Sequence, residues 1–175
     1  LFTVLQGLVS WALVEGHALA EAKQRLEACL AALARAHAML ADHAWTGAPL
    51  DRIVSEELTS FANQIRCLGW RLFLNTPAAQ SFALIIHELA TNAVKHGALS
   101  RPEGQVRILG WIESCDGNDL FRFSWTETAG PAVEPPQRKG FGSSILYGMA
   151  KRFAQYVEVT YQPEGLQYEL QVPLG

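Results

Sequence analysis

The sequence predicts an α+β fold: a helical hairpin, then a mixed, largely antiparallel sheet with helices on one face. Three observations predict it. Apolar residues recur at a helical period over residues 1–44. From Val106 onward, segments alternate apolar and polar side chains around short turn sequences. Between them runs one long apolar helix, "FALIIHELATNAVKHGALS" from Phe82 to Ser100, threaded with charged and amide groups.

The elements follow in order. Leu1, Val4, Leu5, Leu8 and Val9 mark a first helix, Leu13 extends its stripe, and Glu15, Gly16 and His17 break it. A second stripe runs through Leu26, Cys29, Leu30, Leu33, His37 and Leu40, in a segment rich in strong helix formers. These two helices make a hairpin over residues 1–44, with His37 packed at its edge. The stripe is wide for a hairpin alone, so it pairs with a second copy or packs on the rest of the chain. "WTGAPL", Trp45 to Leu50, reads as a turn and the boundary of a second unit over 45–175. Leu50 to Phe61 is amphipathic and helical, and Ile65–Leu68 and Arg71–Leu74 are short strands around Gly69. Pro77 suits the first turn of the long helix, and Gly97 its end. Val106–Ile112 and Leu120–Trp125 pair across "DGND". A loop rich in Pro and Gly covers Thr128 to Gly140, Phe141–Gln155 is helical, and Val157–Tyr161 and Gln167–Val172 form a last hairpin around "PEG".

Composition narrows the function classes. A net charge of -3 over 175 residues carries no basic excess that would direct the chain onto nucleic acid. Cys29, Cys67 and Cys115 have neither metal-ligand spacing nor a paired framework, which points to a reducing, cytoplasmic compartment. No apolar run reaches the roughly 18 residues a membrane span needs. The chain opens at Leu1, already inside a helical pattern, and the expectation is a segment of a longer protein.

The polar residues of the long helix carry the chemistry. Glu88, Asn92 and His96 are spaced i, i+4, i+8 and share one side, with Lys95 beside them, while the apolar residues take the other. A carboxylate and an amide one turn apart suit a hard divalent cation such as Mg²⁺, which takes few protein ligands alongside water and phosphate oxygens. Lys95 could meet those phosphates. Spacing alone equally describes a solvated helix face. A second feature adds weight: "WTETAG", Trp125 to Gly130, ends a strand in a carboxylate and a glycine. "KGFGSS", Lys139 to Ser144, then sets two glycines before a helix, where backbone can approach an anion.

These motifs resemble those of the sensor histidine kinases. "HELATNAVKHGALS" is similar to their N box. His87 within it, together with "WTE" at Trp125–Glu127, resembles the HWE subgroup; "GFGSSIL" resembles its second glycine box, and "RAHAMLADHAWTGAPLDRIVSEEL" the stretch joining hairpin to ATP-binding domain. The similarity runs over essentially the whole chain, and the N box with Trp-x-Glu is its specific part. The resemblance implies a Bergerat (GHKL-type) ATP-binding fold over 45–175 behind a dimerisation and phosphotransfer hairpin. It implies that Asn92 holds Mg²⁺ and that Glu88 is the general base near it. Lys95 and His96 would face the phosphates, and Glu127 would accept from the adenine amino group. Gly130, Gly140, Phe141, Gly142 and Ser143 would flank a lid. His87 is grouped with the catalytic residues as the subgroup marker, without an assigned role. Ala129 stands where the family has the first glycine of the adenine-side box, and Ser144 where the subgroup often has Arg.

The implied activity is that of a bacterial two-component protein-histidine kinase. Mg-ATP supplies a γ-phosphoryl group to a histidine and then to an aspartate of a response-regulator receiver domain. The implied partners are a second copy bound through the hairpin and an upstream sensor domain. The acceptor His-Arg-x-Lys-Asn motif is expected just upstream of Leu1, because His17, His37, His43, His87 and His96 all lack its context. A phosphotransfer adaptor with this fold that no longer binds ATP is the alternative, and an anti-sigma-type serine kinase a third reading. Retention of Glu88, Asn92 and Lys95 disfavours the former; the long hairpin and Trp-x-Glu disfavour the latter.

Overall fold

A computed structural model describes residues 19–69, 72–115, 118–133, 135 and 141–174. The expected first helix, the break at Gly16 and His17, Arg71, Asp116 and Gly117 of "DGND", and Gly140 lie outside the described residues, as does the side chain of Phe141.

Helix α1 (Leu19–Asp42) is followed by strand β1 (Gly47–Pro49), helix α2 (Leu50–Leu58), a 3₁₀ segment (Thr59–Gln64), β2 (Ile65–Leu68) and β3 (Phe73–Asn75). Then come the long helix α3 (Thr76–Lys95), β4 (Gln105–Cys115), β5 (Asn118–Thr128), a helical segment α4 over 141–152, β6 (Tyr156–Gln162) and β7 (Gly165–Pro173). Among the described residues β2, β4, β5, β7 and β6 lie side by side in one sheet; β2 runs parallel to β4 and every other neighbour is antiparallel. The mixed, largely antiparallel sheet with helices on one face is therefore the observed architecture. Among the described residues no helix is long and apolar enough to cross a membrane.

Period-2 alternation builds the buried face of the sheet. Phe121, Phe123 and Trp125 on β5, Val106 and Ile108 on β4, and Tyr168, Leu170 and Val172 on β7 all turn inward. Helix α3 lies on that face with Phe82, Ile85, Ile86 and Leu89 fully buried. The Phe82 ring meets Phe123 edge-on at 5.5 Å between centroids and reaches Phe153, beyond α4, at 5.2 Å. Asn75 caps α3, its side chain accepting from the Ala78 N–H at 3.0 Å, and Pro77 sits in the first turn, where no intrahelical donor is needed.

Several boundaries differ from the sequence reading, each for a local reason. The turn expected at 45–50 comes earlier: Ala44 and Trp45 take left-handed φ values of 51° and 62°, and Gly47–Pro49 then pairs antiparallel with Phe73–Asn75. The two short strands around Gly69 belong to different sheets, β2 to the main one and β3 to the pair with β1. Helix α2 stops at Leu58, where the chain tightens into 3₁₀ turns. The C-terminal helix is an α turn (Phe141–Ser143), a π segment (Ser144–Met149) and a 3₁₀ turn (Ala150–Arg152), ending before Gln155. It is tied to the sheet by the Tyr168 hydroxyl donating to the Leu146 carbonyl at 2.9 Å.

Helix α1 packs on α3 and shares its core. The buried stripe is Cys29, Ala32, Leu33, Ala36 and Leu40; Leu30 faces out. Alanines at 32 and 36 let the two helices approach, so the stripe is rotated from the one that large side chains alone suggest. His37 stacks edge-on against Trp45, with its Nε2 3.1 Å from Gln80 Nε2.

Candidate functional site

The i, i+4, i+8 spacing on α3 places Glu88, Asn92 and His96 along one wall of a pocket of about 560 Å³. Gly97, Glu127, Gly142, Ser143 and Arg25 complete its polar lining, and Val133, Leu146, Tyr161 and Leu166 are among its apolar contacts. That volume falls within the range of small-molecule and cofactor sites.

Strand β5 delivers one end of this pocket. The inward stripe Phe121, Phe123, Trp125 continues by alternation to Glu127, so a carboxylate arrives where the next apolar core residue would be. Glu127 is 2% exposed. Its Oε2 accepts from the Ala98 N–H at 2.8 Å, and its Oε1 from the Trp125 indole N–H at 3.1 Å. Burial pushes the Glu127 carboxyl up from its ordinary range, and the two donors only partly offset this. Gly97 makes the contact possible: a Cβ there would stand 2.0 Å from Glu127 Oε2. Its φ of −116° is open to any residue, so glycine is needed at this helix end for close approach, not for a left-handed turn.

The other end lies about two helical turns back from the end of α3, at Glu88. Glu88 is 1% exposed and paired with the guanidinium of Arg25 from α1. Gly142 closes over this pair, since a Cβ on it would fall 2.3 Å from Glu88 Oε1 and 3.1 Å from Arg25 Nη2. Asn92 stands one turn along α3 from Glu88. Among the described residues no three His, Cys, Asp or Glu side chains gather into a metal cage. A cation beside Asn92 would therefore rest mainly on water and ligand oxygens, which fits Mg²⁺ and an oxyanion ligand.

Other residues singled out in the sequence sit elsewhere. Lys95 is exposed in the last turn of α3, and the described pocket lining does not include it. Gly130 packs on the backbone after α3, where a Cβ would stand 2.7 Å from Ala98 Cα, so close packing explains that glycine. Ala129 beside it adopts φ 57°, a left-handed conformation that glycine would hold at lower cost.

His87 faces away from the pocket. Its Nδ1 lies 3.1 Å from Glu57 Oε2 on α2, and Arg35 of α1 donates to both Glu57 oxygens at 2.8 and 2.7 Å. Burial pushes the Glu57 carboxyl up, but the hydrogen bonds from His87 and Arg35 outweigh it and hold the carboxyl below its usual range. This bridge joins α1, α2 and α3. Glu57→Ala removes the shared acceptor and is expected to cost about 1–3 kcal/mol in urea unfolding. The depressed folded value means the bridge contributes above the unfolded carboxylate range and is lost as pH falls through the folded value. The deficit of the variant should therefore narrow in acid; a deficit that stays constant with pH would leave the carboxylate's charge without a part in the bridge.

Sequence reasoning missed Arg25, and nothing in a helix of Ala, Glu, Lys and Arg could have singled it out. It also missed Glu57 as the partner of His87, because that pairing spans 30 residues.

Residues 1–69 match the family model described as "HWE histidine kinase". A blue-light-activated histidine kinase of Brucella anthropi is 35% identical over 150 residues, covering 83% of this chain and 30% of that protein. The blue-light-activated histidine kinase of Brucella abortus strain 2308 is likewise 35% identical over 150 residues, covering 83% and 31%. The chain thus spans less than a third of the length of these relatives. Among solved structures, the histidine kinase domain of the Erythrobacter litoralis EL346 blue-light activated histidine kinase aligns over 99% of this chain and 93% of its own, with TM-score 0.63 and 16% identity. The longer EL346 chain gives TM-score 0.70 at 16% identity over 99% of this chain and 57% of that one. At such identity the likeness concerns the fold, which is the GHKL-type (Bergerat) fold of histidine kinase catalytic domains.

Proposed function

We propose, from the premise that the chain belongs to the HWE histidine kinase family of two-component systems, that the pocket between α3 and α4 binds Mg-ATP for phosphoryl transfer to a histidine. The observation that carries this reading is the polarity of the pocket. A buried, doubly hydrogen-bonded carboxylate, Glu127, stands at one end, and the Glu88, Asn92 and Gly142 cluster at the other. Glu127 would accept from the exocyclic amino group of the base, with Val133, Tyr161 and Leu166 offering apolar contacts. Asn92 would hold the metal, and Gly142 and Ser143 would let backbone approach the phosphates. The metal, when bound, would neutralise charge between the distal phosphates. Glu88 would be the proton acceptor at the transfer site. In such chemistry a protein contributes mainly positioning and charge stabilisation. Residues 1–44 would form the phosphotransfer and dimerisation arm and 45–175 the catalytic domain. The phosphoryl group would pass on to an aspartate of a response-regulator receiver domain, in the cytoplasm.

The adenine contact makes a prediction about pH. Protonated Glu127 gives up acceptor capacity, and its pKa is raised. ATP binding, measured by calorimetry, should weaken as pH falls through that raised value, beginning above the ordinary glutamate range. The sign for stability is opposite: a raised folded pKa favours the fold below the unfolded value and that contribution is lost as pH rises. ATP affinity that stays flat through mildly acidic pH would argue against Glu127 as the base-binding group. The first test of the whole reading is titration of the chain with ATP, with and without Mg²⁺. No binding at millimolar ATP would turn the assignment toward a phosphotransfer adaptor.

A further inference from the structure

Arg25 comes from α1, which the sequence assigns to the hairpin, yet its side chain lines the nucleotide pocket and is 24% exposed. Among the described lining residues it is the single arginine or lysine. Its guanidinium donates to Glu88 Oε1 at the end of the pocket opposite Glu127, under Gly142 and one helical turn from Asn92. The charges of both partners reach the neighbouring Cys29 thiol, which burial and Glu88 push up to about 11 while Arg25 pulls it down. A triphosphate entering this end would meet a buried carboxylate, and the arginine is the group that offsets the repulsion. A guanidinium can exchange carboxylate for phosphate oxygens with the same forked donor geometry.

We infer that Arg25 is a ligand for the distal phosphate of the nucleotide, supplied to the catalytic domain by the preceding helix. It pairs with Glu88 when the pocket holds no nucleotide and transfers to phosphate oxygens on binding. The inference rests on the nucleotide reading above. It makes the site complete only while α1 is docked, so occupancy by a triphosphate and seating of that helix favour one another.

Calorimetric titration of the whole chain with Mg-ATP and with Mg-ADP, for wild type, Arg25→Ala and Arg25→Lys, tests it. A lost charge-assisted contact to the distal phosphate should weaken ATP binding by about tenfold in Arg25→Ala. ADP binding should stay within about twofold, serving as the check that the variant is folded. Arg25→Lys keeps the charge without the fork and should fall between. Equal losses for ATP and ADP, or unchanged ATP affinity, would overturn the inference. So would tighter ATP binding in Arg25→Ala, which would make Arg25 a latch on Glu88. Wild type binding neither nucleotide would defeat the nucleotide reading, and this inference with it.

Discussion

Asn92→Ala should abolish Mg²⁺-dependent ATP binding while leaving the folded state intact. Asn92 is part-exposed on the pocket wall, and the filling of the core does not depend on it. Alanine is the better helix former, by up to about 0.7 kcal/mol, so the thermal midpoint should hold or rise slightly. The loss should appear as ATP affinity that no longer responds to Mg²⁺, since the amide oxygen is the proposed protein ligand and Mg²⁺ relies on few of them. Calorimetry with and without Mg²⁺, beside a melting curve, separates the outcomes. A variant that unfolds would make Asn92 a structural residue; a variant that keeps its Mg²⁺ response would move the metal elsewhere.

The largest effect on stability is expected at Trp125. It is 0% exposed on β5, opposite Ile108 of β4 and Tyr168 of β7, and its indole N–H is one of the two donors to Glu127. Trp125→Ala leaves a cavity in the sheet's buried face and should cost about 3–5 kcal/mol. For a domain of this size that is a fall in Tm on the order of 10 °C. Removing the indole donor also leaves a buried carboxylate with one fewer partner, which pushes the Glu127 carboxyl further up. Trp125→Phe isolates the second effect, because it keeps most of the ring and drops the N–H. It should cost about 1–3 kcal/mol and weaken ATP binding. A Phe variant as stable and as tight-binding as wild type would show the indole–carboxylate bond to be incidental. The Trp and the Glu of the Trp-x-Glu motif are one unit here: an i, i+2 pair on a strand puts both on the same face, close enough for the first to hold the second.

What the sequence determined by itself is the periodic part. The alternation of β4, β5 and β7 sets the inward face, and the i, i+4, i+8 spacing puts Glu88, Asn92 and His96 on one wall. Those patterns are legible because side-chain direction repeats every two residues in a strand and every 3.6 in a helix. The carboxylate at Glu127 follows from the same alternation. Only the tertiary structure decided the rest, because contacts between distant segments leave no period behind. The parallel pairing of β2 with β4 and the strand at Gly47–Pro49 depend on partners far along the chain. Gly97 looked like a helix stop, and its need for glycine emerges only once Glu127 stands against it. His87 and Glu88 are neighbours in sequence, yet adjacent helical positions point about 100° apart. One therefore meets Glu57 and Arg35, and the other Arg25 and the pocket. Arg25 and Arg35 look alike in a run of helix formers, and what each does was settled by the carboxylate that α2 or α3 presents to it.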